Sequence, residues 1–133
     1  LARQRRYDSS LEAAVSEKGG TAFFEEDASI SRGRLGEGGR IPVRTVGLDE
    51  AIRASELPAP DVVKMDIEGA EVDALRGAAD LLARKRPLLF LSTHSGRLHK
   101  ECCRMLAELG YDLEPLGTKD LARARELIAR PRG

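Results

Sequence analysis

The chain has 133 residues, with 22 basic and 22 acidic side chains and no formal net charge. That length allows one compact domain with one core, and the balanced charge gives no footprint for nucleic acid or an anionic membrane. No apolar run approaches roughly 18 residues, so no membrane-spanning helix is expected.

The opening Leu1-Ala2-Arg3-Gln4-Arg5-Arg6 is basic but lacks the apolar stretch of a secretory signal. A start at Leu rather than Met suggests that sequence upstream is absent. Leu11-Glu12-Ala13-Ala14-Val15 reads as a short strand, closed by the turn signal Glu17-Lys18-Gly19-Gly20. Thr21-Ala22-Phe23-Phe24 reads as a second strand. Residues 31–40 hold Gly33, Gly36, Gly38 and Gly39 among arginines. They match neither a dinucleotide fingerprint nor a phosphate loop, so a mobile surface loop or hairpin is expected.

Ile41-Pro42-Val43-Arg44-Thr45-Val46 is a predicted strand, and Leu48 to Arg53 a short helix ending before Pro58 and Pro60. Val62 to Ile67 is a short apolar run with β-branched residues, which suits a central parallel strand. Val72, Leu75, Ala79 and Leu82 then repeat as one helical stripe. Acids stand at its start and Arg84, Lys85 and Arg86 at its end, as the helix dipole favours. Pro87 stops it. Leu88-Leu89-Phe90-Leu91 is a second buried strand, ending in Ser92-Thr93-His94. A further amphipathic helix carries Leu98, Cys102, Met105, Leu106 and Leu109, with Gly110 as its cap. Tyr111 to Pro115 and Glu126 to Ala129 are the last two predicted strands. Alternating strands and helices argue for an α/β fold with a mostly parallel sheet and covering helices. Cys102 and Cys103 are adjacent, so they are read as unbridged thiols, core and rim of the helix, consistent with the cytoplasm.

The segment from Asp61 to Ala78 contains Lys64-Met65-Asp66-Ile67-Glu68-Gly69-Ala70-Glu71, then Leu75-Arg76-Gly77-Ala78. It resembles the signature of the FkbM family of methyltransferases. Arg86-Pro87 before a strand, His94 at its end, and Gly110-Tyr111 after the next helix are similar to the family's later landmarks. Ala14-Val15-Ser16-Glu17-Lys18-Gly19 and Thr45-Val46-Gly47-Leu48-Asp49 are similar to its earlier ones. The resemblance covers roughly residues 13–130. The family often has a glutamate shortly before the histidine, and here that stretch is Ser92-Thr93-His94.

The resemblance implies a partial Rossmann-like methyltransferase fold, residues 1–133 forming the C-terminal part of one domain, with the N-terminal cofactor half missing. It implies methyl transfer from S-adenosylmethionine, to a hydroxyl of a small molecule or sugar. No strand followed by a glycine-rich turn and helix precedes residue 11, and such a unit needs about 30 residues or more. The isolated chain is therefore expected to show little or no activity.

In an open α/β sheet, ligands gather beyond the carboxyl ends of the strands. Asp66, Glu68 and His94 are predicted there. An oxygen nucleophile benefits from losing its proton to a base, and imidazole has the most suitable unperturbed pKa. Asp66 and His94 are thus the catalytic candidates. Asp66 is expected to be a buried carboxylate, costly without a partner. Glu68 and Gly69 are candidates for cofactor contact, and Glu71 and Lys64 for substrate contact. The plainer readings are helix capping for Glu68 and Glu71, an ion pair with Asp66 for Lys64, and backbone geometry for Gly69. His99 reads as a helix-surface residue. A divalent metal on Asp66, Glu68 and His94 is allowed but not demanded by the spacing, and no metal ligand is assigned. Two other readings stand beside the enzyme. One is a non-catalytic interaction module, self-associating through an exposed sheet edge. The other is a small metal-binding domain.

Overall fold

A computed structural model describes residues 10–24, 35–36 and 41–133. The predicted glycine-rich loop at 31–40 and the basic start lie almost wholly outside the described residues. Chain order is β1 (Ala14–Val15), β2 (Gly20–Phe24), β3 (Leu35–Gly36), β4 (Ile41–Val46), α1 (Leu48–Arg53), β5 (Val62–Met65), α2 (Glu71–Arg76), a π-helical turn (Leu81–Lys85), β6 (Leu88–Ser92), α3 (Gly96–Glu108), β7 (Tyr111–Leu116) and β8 (Glu126–Pro131).

Two four-stranded sheets result, with orders β1-β4-β2-β3 and β5-β6-β8-β7. The expected mostly parallel sheet is not what forms. Parallel pairing joins β1 to β4 and β5 to β6, while β2–β3, β2–β4, β6–β8 and β7–β8 are antiparallel. The reason is connection length. Parallel neighbours need a crossover, here supplied by α2 between β5 and β6, whereas β8, reached from β7 by a connection too short for a crossover helix, runs antiparallel to both β7 and β6. The fold is therefore mixed α/β.

The core lies where α2 and α3 cover one face of the second sheet. Met65, Leu89, Leu91 and Leu127 point into it from the strands, and Leu75, Cys102 and Leu106 from the helices. The other sheet face carries Val62 and Phe90, 55% and 38% exposed. β5 ends its sheet among the described residues, so the predicted central strand is an edge here. No described helix is long and apolar enough to cross a membrane.

The single helix expected through Val72–Leu82 is broken after Arg76. Gly77 presses against the turn after β1, and a Cβ placed there would lie 2.5 Å from the Ser16 carbonyl oxygen. The chain restarts two residues later because the Asp49 carboxylate accepts from the amides of Asp80 and Leu81, at 2.8 and 2.9 Å. Asp49 thus caps a turn that its own sequence neighbourhood does not contain.

Arg86 closes that turn in the left-handed region at φ 56°. The following proline disfavours a right-handed helical conformation there. The Arg86 guanidinium donates to the carbonyls of Leu109 and Gly110 and sits 5.4 Å over the Tyr111 ring. Tyr111 in turn donates its hydroxyl to the Pro87 carbonyl. The start of β6 and the end of α3 are locked together by one pair of side chains.

Gly77→Ala should destabilise the chain by about 1–3 kcal/mol through overpacking against fixed backbone. Urea unfolding of the two proteins measures this, and equal midpoints would show that the turn after β1 yields freely.

Candidate active site

The parallel register pairs Met65 with Leu91. Both strands therefore end side by side, and Asp66 and His94 leave them at the same edge of the sheet. Two left-handed residues follow Asp66, Glu68 at φ 53° and Gly69 at φ 104°. They reverse the chain within one turn so that α2 can begin at Glu71. Glycine tolerates such a φ, whereas Glu68 adopts it at some cost in backbone energy.

That reversal places Glu71 beneath the strand ends. It is fully buried, and its Oε1 accepts from the Gly69 amide at 3.2 Å and from His94 Nδ1 at 2.5 Å. A carboxylate can only accept, so His94 carries its proton on Nδ1 toward Glu71. The other ring nitrogen, Nε2, then faces outward. It lies 3.1 Å from Asp66 Oδ1 and 3.5 Å from Glu68 Oε1. Three carboxylates surround one imidazole. Their effect is to push the His94 pKa up, with the hydrogen bond to Glu71 the largest cause and burial acting against it.

The sequence-derived site residues divide clearly. Asp66, Glu68 and His94 meet at one exposed place beyond the strand ends. Asp66 is not the buried carboxylate expected: its side chain is 53% exposed, and Glu71 is the buried one. Glu71 does not reach solvent, so any contact with a substrate passes through His94. Gly69 spends its amide on Glu71. Lys64 is exposed, and among the described residues it makes no ion pair with Asp66 or with the cluster. One nitrogen and two carboxylate oxygens, from His94, Asp66 and Glu68, lie within 4.8 Å of one another and could hold a metal ion.

His99 corrects a second expectation. It is buried, donates from Nε2 to the Leu121 carbonyl at 2.7 Å, and meets the Thr93 hydroxyl with Nδ1 at 2.9 Å. It pins the segment before β8 to α3. The signal was present in the spacing: His99 precedes Cys102 and Leu106 by three and seven residues, on the core stripe. Glu71 likewise precedes Ala74 and Leu75 on the buried face of α2. Both cysteines are free, and burial pushes the Cys102 thiol up to about 12, leaving it a packing group.

Among the described residues, no strand enters a helix through a turn holding two or more glycines. Such a turn is what lets backbone approach a nucleotide-like cofactor.

The family pattern described as the methyltransferase FkbM domain matches residues 3–113. Hexuronic acid methyltransferase AglP of Haloferax volcanii is 28% identical over 106 residues. The match spans 78% of this chain and 44% of that relative. A solved structure, methyltransferase FkbM from Methylobacillus flagellatus KT, aligns with a TM-score of 0.59 at 20% identity. It covers 96% of this chain and 31% of that chain, and at this identity the likeness is one of fold.

The raised His94 pKa has a consequence for stability. A folded pKa above the unfolded value of 6.5 means that protonation favours the folded state. The contribution should be complete below that value and disappear as pH rises through the folded pKa. NMR titration of the His94 ring should give a midpoint above 6.5, and Glu71→Gln should lower it. A midpoint at or below 6.5 in the wild type would show that the Glu71 contact does not hold in solution.

Proposed function

Since the chain belongs to the FkbM methyltransferase domain family, we propose that it forms the acceptor side of an S-adenosylmethionine-dependent methyl transfer to a hydroxyl of a sugar or similar small molecule. The observation that carries this reading is the His94 ring, held by buried Glu71 on one nitrogen and presenting the other beside Asp66. The sugar class is suggested by the relative whose name gives hexuronic acid as its substrate.

The chain's own part in the reaction is to seat and deprotonate the acceptor. Asp66 is half exposed at the strand end and accepts a hydrogen bond from an acceptor hydroxyl. His94 Nε2, once unprotonated, takes the proton of the reacting hydroxyl. Glu71 keeps the ring oriented and stabilises the imidazolium that forms, as a buried carboxylate does behind a catalytic histidine. Such a positioned base typically contributes 10²–10⁴-fold. Glu68 stands 3.5 Å from the same nitrogen and adds to the negative field there.

A second reading is favoured by the ligand geometry of Asp66, Glu68 and His94. A divalent cation held by those three would polarise the acceptor oxygen in place of a base. The buried carboxylate behind His94 is the kind of outer partner that metal-bound histidines use. Equilibrium dialysis against manganese decides it: retention by the wild type and loss in Asp66→Asn supports the cation, and no bound ion rejects it.

In the complete gene product containing these residues, Asp66→Asn should lower methyl transfer to the acceptor at least tenfold, and His94→Gln by about 10² or more. Radiolabelled transfer from S-adenosylmethionine to a panel of sugars measures it. Unchanged turnover removes the substituted residue from the mechanism, and no transfer by the wild type to any sugar rejects the reading.

A further inference from the structure

Next to the strand-end cluster, a groove of about 660 Å³ runs between α2 and α3. Gly69, whose amide binds Glu71, is among its lining residues, so the groove adjoins the turn that carries the candidate active site. Four cations line it: Arg76 from α2, and Arg97, Lys100 and Arg104 from α3. Two carboxylates, Asp73 and Glu101, accompany them.

The cations are not equally committed. Arg104 is held by Glu101 and Glu108, and Arg76 approaches Asp73 at 3.7 Å. Arg97 and Lys100 make no ion pair among the described residues. Both are exposed, and both stand at the start of α3. The helix carries its charges against its own dipole. Its first turn has no acid, its last turn has no base, and Glu108 ends it. Cations near a helix N-terminus and an acid near its C-terminus are each unfavourable. A fold that needed only stability would gain by exchanging them.

We propose that this groove binds the anionic group of an acidic sugar acceptor, a carboxylate or a phosphate. The inference rests on the acceptor-side reading above and names the substrate class of that same site. The two ends of the site carry opposite signs. Asp66, Glu68 and Glu71 repel an anion from the reacting end, while Arg97 and Lys100 attract it into the groove. An acidic sugar is therefore oriented with a hydroxyl at His94 and its charge between α2 and α3. A neutral sugar gains nothing from this polarity. Two guanidinium or ammonium groups suit either a carboxylate or a phosphate, which is the shared chemistry.

The test is titration of the chain with D-glucuronate, D-glucose 6-phosphate and D-glucose, followed by amide NMR at low and moderate salt. At least one of the two acidic sugars should shift the Gly69 and Arg97–Lys100 amides and bind at least tenfold more tightly than glucose. The tighter of the two tells carboxylate from phosphate. Arg97→Ala/Lys100→Ala should lose about tenfold or more, and Arg130→Ala, on the far strand β8, should bind as the wild type does. Equal binding of glucose, or full binding by the double variant, overturns the proposal. Failure of the two readings is separable. Groove binding by acidic sugars without methyl transfer by the complete gene product rejects the enzymatic reading alone. Transfer to glucose as fast as to glucuronate rejects the groove alone.

Discussion

The hydrogen bond between Glu71 and His94 is the constraint on which the site depends. A carboxylate with no solvent exposure is costly unless its charge or hydrogen-bonding capacity is met. Here Oε1 is met twice, by the Gly69 amide and by the imidazole, while Oε2 has no protein partner among the described residues. Satisfying that group fixes three things together. The turn at Glu68 and Gly69 must be left-handed, α2 must start at Glu71, and His94 must present Nε2 outward. Each would be free to differ if Glu71 pointed to water.

The rest of the scaffold delivers strand ends to that pair. The parallel register of β5 and β6 aligns the departures of Asp66 and His94. Arg86 and Tyr111 hold the far end of β6, and His99 ties α3 to the segment before β8. The Gly77 contact and the Asp49 cap set where α2 stops. These residues account for several of the family landmarks outside the site. Arg86-Pro87, Gly110-Tyr111, Leu48-Asp49 and Gly77 are packing and capping devices, and none touches the cluster. Among the described residues, helices cover one face of the second sheet, and the exposed Val62 and Phe90 lie on the other.

Charge organises the chemistry at a larger scale than any single pair. The chain as a whole is neutral, yet three carboxylates crowd one imidazole and four cations line the adjoining groove. Local polarity of this kind can orient a charged ligand although net charge says nothing about it.

The sequence by itself determined the elements. Strands at Ile41–Val46 and Leu88–Leu91, the helix Leu48–Arg53 and the two closing strands form where alternation and periodicity put them, because these signals are local. It also determined the family, through eight consecutive residues from Lys64 to Glu71, and drew Asp66, Glu68 and His94 to one edge. Tertiary structure alone decided the rest. Strand direction depends on which segments meet, so the sheets are mixed. The helix break at Gly77 depends on the distant Ser16 carbonyl and on the Asp49 carboxylate. The helical stripe marks Glu71 as inward-facing, but its place under His94, with Asp66 left half exposed, depends on the turn geometry after Asp66. The core stripe of α3 places His99 inward, but the Leu121 carbonyl that receives its Nε2 proton is supplied only by the fold. Each of these is a contact between residues distant in the chain, and a local pattern holds no information about its partner.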